Sequence, residues 1–303
     1  MSVPVAESVI ATEVDMVAAL RRDGYVADDE IATALYLADR LDKPILIEGE
    51  AGVGKTEVAR VLARLKNTEL IRLQCYEGLD FNTALYEWNY QKQILSMRVH
   101  ELRNEHDITL ADLYSEEFLS YRPISRALMA DRRVVLLLDE IDRADEEFEA
   151  LLLETLAEYQ LTIPEIGSIT AKHKPYIILT SNRTRELTDA LRRRCLYLWI
   201  DYPDYAKELE VLRLKVPDIG MDLAARATRF VQALRQEKLN KIPGLAEAVD
   251  WTRALLLLGV TTLDRAAVVG TLGCLLKDRQ DIERCKGVLL DALLEKAGPG
   301  AAV

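Results

Sequence analysis

Gly49, Gly54, Lys55 and Thr56 stand in the order G-x-x-x-x-G-K-T within "ILIEGEAGVGKT", directly after an apolar run and directly before a helical pattern. Glycines so spaced let the backbone curl until successive N–H groups and a helix start face phosphate oxygens. Glu50, Ala51, Gly52 and Val53 complete that cradle, Lys55 offers a cation to the β and γ phosphates, and Thr56 offers a hydroxyl to Mg2+. Further on, "VVLLLDE" (134–140) is an apolar run ending in two carboxylates. Asp139 is expected to share the Mg2+ with Thr56, and Glu140 to orient and activate an attacking water. "YIILTSN" (176–182) ends in Ser181 and Asn182, where an amide can hold the same water or touch a γ-phosphate, although Ser-Asn pairs also begin turns. Asn240-Lys241-Ile242-Pro243 lacks the Asp of a guanine-reading N-K-x-D, so adenine is the expected base and ATP with Mg2+ the expected cofactors.

Such groups need a scaffold that brings strand ends together. The runs "PILIE", "ELIRLQC", "VVLLLDE", "YIILTSN" and "LYLWI" alternate with helical patterns between residues 44 and 202, which predicts an α/β fold with a parallel sheet wrapped by helices. After Pro203 the patterns are helical, so a boundary is expected there: an α/β nucleotide-binding domain at 16–202 and a helical domain at 203–296, with flexible ends at 1–15 and 297–303. Within the first domain, Leu85, Trp88, Leu95, Val99 and Leu102 recur at helical steps and predict one helix over 82–103.

Composition narrows the classes. The 303 residues carry a formal net charge of −11, which argues against a nucleic-acid partner held by overall electrostatics. The start lacks the basic and apolar stretches of a signal peptide, and no apolar run is long enough to span a bilayer, so a cytoplasmic location with no membrane partner is expected. Cys75, Cys195, Cys274 and Cys285 and the histidines His100, His106 and His173 have no zinc-like spacing and are expected to hold no metal. Three consecutive arginines, Arg192, Arg193 and Arg194, in "DALRRRCLYLWIDYP" demand anionic partners or solvent.

In its order of parts the chain resembles an AAA+ P-loop ATPase with a C-terminal helical lid. "DEIDRADEEFEALLLETLAEYQLTIPEIG" resembles the MoxR family, whose clade carries a helical insert, here near 82–103. "LQCYEGLDFNTALYEWNYQKQIL", "TSNRTRELTDALRRRCLYLWIDYP" and "DWTRALLLLG" look like the CoxD branch, encoded beside molybdenum hydroxylases of the carbon monoxide dehydrogenase type. The resemblance covers roughly residues 16–295. It implies an ATP-hydrolysing chaperone in a homo-oligomeric ring, a hexamer, with Asn182 as sensor 1 and Arg253 as sensor 2. It implies that Arg194, or else Arg193, is an arginine finger on the ATP of a neighbouring copy, with Arg192 merely solvated. Gly24 and Tyr25 are placed at the adenine by the same likeness. Specificity is assigned to the insert, to a hairpin around Pro164 to Lys174 or to an adaptor with a von Willebrand factor A domain, and the implied client is a molybdenum hydroxylase whose metal centre is being matured. The alternatives are a motor for another enzyme such as Rubisco, or a nucleotide-dependent scaffold or DNA-acting module.

Overall fold

The computed structural model describes residues 12–103 and 109–298. The chain forms two compact units, one made of the segment up to Asp23 with residues 27–48 and 56–199, the other of residues 24–26, 49–55 and 200 onward.

The strands are β1 (Ile45–Gly49), β2 (Leu70–Gln74), β3 (Tyr86–Trp88), β4 (Leu119–Tyr121), β5 (Val135–Asp139), β6 (Gln160–Ile163), β7 (Gly167–Thr170), β8 (Tyr176–Ser181) and β9 (Leu196–Ile200). The five apolar runs became the five-stranded sheet β2-β5-β8-β1-β9. Its β2/β5, β5/β8 and β8/β1 pairs are parallel. Every residue of β1 and of β5 is buried, as strands covered on both faces require. The register sets Gln74 beside Asp139 and Glu48 beside Ser181, so the polar strand ends fall along one edge of the sheet. In open α/β sheets that carboxyl edge is where ligands bind. Leu46, Leu136, Leu138, Ile177 and Leu179 form the core beneath it.

The stretch 82–103 is not one helix. Asp80 caps a single turn at Phe81–Ala84, β3 follows and pairs with β4, and a second helix runs Tyr90–Arg103 after Asn89 Oδ1 accepts from Lys92 N at 2.9 Å. The aromatic Tyr86 and Trp88 prefer the pleated, half-buried surface that strand pairing offers, and Trp88 packs edge-on to Tyr86 and Tyr114. The expected stripe is therefore divided: Leu85 and Trp88 are core, whereas Leu95 and Leu102 are 63% and 86% exposed. The hairpin expected near Pro164 is β6–β7. Within the ends expected to be flexible, a helix with a Thr12–Asp15 capping box begins at Glu13, and Ala297 is buried. His106, residues 1–11 and residues 299–303 lie outside the described residues.

The second unit is helical, with helices Tyr205–Lys215, Met221–Arg235, Leu245–Leu257, Arg265–Leu275 and Arg279–Arg284, a π turn Cys285–Leu289, and a last helix Leu290–Lys296. Phe230, Trp251, Leu255, Leu272, Leu290 and Leu293 are its core, each such side chain contributing about 1.5–3 kcal/mol by leaving water. Trp251 Nε1 donates to Thr271 Oγ1 at 2.8 Å, so its one polar atom is satisfied. A buried bidentate pair joins two helices: Arg235 Nη1 and Nη2 donate to Glu208 Oε2 and Oε1 at 2.8 and 2.7 Å. Burial pushes the Glu208 carboxyl above its ordinary range, while the hydrogen bonds and charge of Arg235 pull it down.

Candidate nucleotide site

The phosphate loop, residues 49–55, belongs with the second unit. Gly52 and Gly54 have φ of +80° and +99°, a left-handed conformation that glycine takes without steric cost. At Gly49 the need is space, since a Cβ would stand 2.1 Å from the carbonyl oxygen of Ile200. The loop is held from outside as well. Leu245 N donates to Gly52 O at 2.9 Å, and Tyr202 Oη donates to Ala51 O at 3.3 Å. Lys55 is buried, and its ammonium donates to Gly49 O and Glu50 O at 2.8 and 2.7 Å. The loop is thus folded round its own cation, and phosphate oxygens would compete for those donors.

The carboxylates belong to the first unit. Asp139 is buried at the end of β5, where its Oδ1 accepts from Thr56 Oγ1 at 2.9 Å and from Thr180 Oγ1 at 2.6 Å. Its Oδ2 accepts from Arg72 Nε at 2.9 Å. Thr180 Oγ1 also accepts from the backbone N–H of Glu140 at 3.0 Å, and Glu140 turns out of the strand at φ 55°. One hydroxyl from β8 therefore holds the Asp139 carboxylate and the Glu140 backbone. The Glu140 carboxylate pairs with Arg143 Nε at 2.7 Å. Beneath this group burial, reinforced by the charges of Asp139, Asp142 and Glu140, pushes the Cys75 thiol up to about 12, so it is no nucleophile near neutrality.

Asn182 sits at the end of β8 on a loop held by the buried Asp142, which accepts from Asn182 N at 3.2 Å and from Thr184 N and Oγ1 at 2.8 and 2.7 Å. Past that loop the arginines end the turn Asp189–Arg192. Arg193 is exposed. Arg194 folds back, donating from Nη1 to Ala190 O at 2.8 Å, while its Nε is buried with no partner among the described residues. Arg192 is not merely solvated: its Nη2 lies 3.1 Å from Oε1 of the buried Glu48. In the second unit Arg253 is exposed, near Asp250 at 3.6 Å and Lys215 O at 3.4 Å, and Gly24 and Tyr25 are partly exposed.

These residues fit ATP and Mg2+. The loop offers curled backbone and a buried ammonium, and Thr56 with Asp139 offers a hydroxyl and a carboxylate already 2.9 Å apart, the hard oxygen donors that Mg2+ takes. Among the described residues there is no group of three or more His, Cys, Asp or Glu that could hold a metal ion by itself. No helix among the described residues is long and apolar enough to cross a membrane. Sequence reasoning overlooked Glu48, Arg72, Asp142, Thr180 and Gly244. Glu48 and Arg72 were detectable as charged residues within apolar strand runs, whereas nothing local marks Gly244.

Several known proteins are similar to this chain. The chain is 24% identical over 260 residues to the uncharacterized protein SH1500 of Staphylococcus haemolyticus, covering 81% of this chain and 89% of that protein. It is 26% identical over 231 residues to the gas vesicle ATPase GvpN of Haloferax mediterranei, covering 73% of this chain but only 63% of the relative. Among solved structures, a mutant of RuvB from Thermotoga maritima shares the fold with a TM-score of 0.50 at 17% identity, over 96% of this chain and 84% of that one. The AAA domain family of the dynein-related subfamily matches residues 44–195, the stretch that holds the phosphate loop, both carboxylates and the arginine turn. Half the chain and the whole of its parallel sheet core lie in or beside that match, and the protein belongs to this family of AAA+ ATPases.

Proposed function

We propose that the protein hydrolyses ATP at sites completed by a second copy of itself, in a hexameric ring, and uses the cycle to remodel a protein client as a MoxR-type chaperone. The observation that carries this is the cluster of Thr56, Thr180, Asp139 and Glu140 at the ends of β5 and β8, with the exposed Arg193 on the turn before β9. Lys55 and the loop N–H groups hold phosphates, and Thr56 and Asp139 hold the cation. Mg2+ when bound supplies positive charge that neutralises the phosphate oxygens. Glu140 leaves Arg143 to take a proton from the attacking water, its backbone kept in place by Thr180. Asn182 reports on that water from the loop Asp142 holds, and Arg253 senses phosphates from the helical unit. Arg194 is engaged with its own turn, so Arg193 is the better placed to reach a neighbour's ATP.

The client we assign is a molybdenum hydroxylase of the carbon monoxide dehydrogenase type, reached through an adaptor with a von Willebrand factor A domain. The support is the likeness of residues 73–95 and 180–203 to the CoxD branch; the relative GvpN supports the motor without naming this client. Glu140→Gln is expected to lower kcat by about 10²–10⁴-fold while ATP still binds. Arg193→Ala is expected to cost about 10³-fold or more, and Arg194→Ala less. Steady-state ATPase and equilibrium nucleotide binding measure both. ATP-dependent activation of a purified, immature hydroxylase, lost with Glu140→Gln, is the expected client result; no gain with ATP and adaptor would move the client elsewhere.

A further inference from the structure

Glu48 is the acid in the apolar strand β1, 1% exposed and adjacent to Gly49, where the phosphate loop begins. A carboxylate is buried only at a cost that partners must offset. Its partners come from three other places in the chain. Arg192 Nη2 lies 3.1 Å from Oε1, Tyr197 Oη donates to Oε2 at 3.1 Å, and Arg183 Nε is 3.8 Å from Oε2. Arg183 follows Asn182, Tyr197 is on β9, and Arg192 opens the run of three arginines.

Arg192 ends the single helical turn Asp189–Arg192, with Arg193 and Arg194 directly after it, and one turn has too few hydrogen bonds to hold its own orientation. Tertiary anchors must do so. At its start Thr188 N and Oγ1 donate to the buried Glu149 Oε2 at 2.9 and 2.7 Å, and Leu191 is buried at its middle. At its far end the side-chain anchor is Arg192 on Glu48. Glu48 itself cannot drift, since it is paired in the sheet opposite Ser181. Beyond Arg194 the backbone is tied to the sheet by Leu196 N, which donates to Pro44 O at 2.8 Å, so losing the Arg192 anchor releases the side-chain tie of the turn between Leu191 and that point, where Arg193 and Arg194 lie.

We propose that Glu48 is a positioning residue for ATP hydrolysis: through Arg192 it sets the direction in which the exposed Arg193 leaves the turn and the seat of Arg194 beside it, so it acts on the ATP of a neighbouring copy. This rests on the shared-site reading above. Both carboxylate oxygens are used, one for Arg192 and one for Tyr197 and Arg183, so an amide of the same shape keeps one acceptor but loses the second and the negative charge that faces two guanidinium groups.

The test is ATPase of Glu48→Gln alone and mixed with Glu140→Gln, whose own site is dead but whose arginines are intact. Alone, kcat is expected to fall about 10²-fold, the effect of displacing a catalytic group by about 1 Å, with KM for ATP unchanged. In the mixture, activity returns, because intact Glu48→Gln sites then face correctly aimed arginines. A residue that merely shaped its own phosphate loop would raise KM and show no rescue. The control is the double variant Arg193→Ala, Arg194→Ala mixed with the same Glu140→Gln protein. Rescue of that control without rescue of Glu48→Gln overturns the proposal and leaves the shared-site reading standing; so does full activity of Glu48→Gln alone. No rescue of the control removes the shared-site reading, and the proposal with it. Arg192→Ala, at a partly exposed position, must show the same pattern, and it serves if Glu48→Gln does not fold by its thermal melt.

Discussion

A Cβ on Gly244 would stand 2.6 Å from Gly52 Cα and 2.8 Å from Gly52 O, although its φ of −82° suits any residue. The need is for space, chiefly against the backbone of the phosphate loop, since the third neighbour, Glu247 Oε2 at 2.9 Å, ends a flexible side chain. Gly244→Ala is expected to destabilise the protein by about 1–3 kcal/mol through overpacking and to weaken ATP binding, because the loop must move to admit a methyl group. Urea unfolding and the dissociation constant of a fluorescent ATP analogue check it; unchanged affinity with lowered stability would confine the contact to a packing role. The residue types of the loop itself were legible because phosphate chemistry demands them at fixed spacing in one stretch of chain. Gly244 answers the same demand from a distant helix start, and Thr180 and Glu48 act through partners that only folding supplies. For the arginines, chemistry was readable and direction was not: whether Arg193 or Arg194 faces outward depends on how one turn is anchored.

At the scale of elements, continuous apolar runs sufficed for the sheet, since each of the five became a strand of it. The stretch 82–103 misled because helical spacing over Leu85, Trp88, Leu95 and Leu102 ignores the competing preference of Tyr86 and Trp88 for a strand and of Asn89 for a helix cap. Trp88→Ala is expected to cost about 3–5 kcal/mol, as for other buried aromatics. Leu102→Gln, 86% exposed, is expected to stay within about 0.5 kcal/mol of the parent. Chemical denaturation of the two variants separates the divided stripe from a continuous one, which would make both losses large.

Across the whole molecule, the shift from strand-forming to helical patterns near Pro203 was visible, whereas the assignment of residues 24–26 and 49–55 to the helical unit was not, because it depends on contacts remote in sequence. That unit carries the buried Glu208–Arg235 pair, whose loss should register in global stability. Arg235→Met leaves a buried carboxylate without its bidentate partner and is expected to cost about 3–5 kcal/mol near neutral pH. The sign with pH follows from what the variant loses: without the hydrogen bonds and charge of Arg235 that pull it down, burial raises the Glu208 carboxyl further, and stability from a raised group is present at low pH and lost as pH rises through the folded value. The variant should therefore recover part of its deficit on acidification, which unfolding curves at pH 5 and pH 7.5 would reveal. The grouping of residues 49–55 with residues from 200 onward also bears on inheritance. Gly52 touches Gly244, Leu245 bonds Gly52 and Tyr202 bonds Ala51, so a helical segment exchanged by recombination at the visible boundary would arrive without the loop it was shaped around. Loop and helices form one packed part that exchange would have to move together, although the chain encodes them far apart.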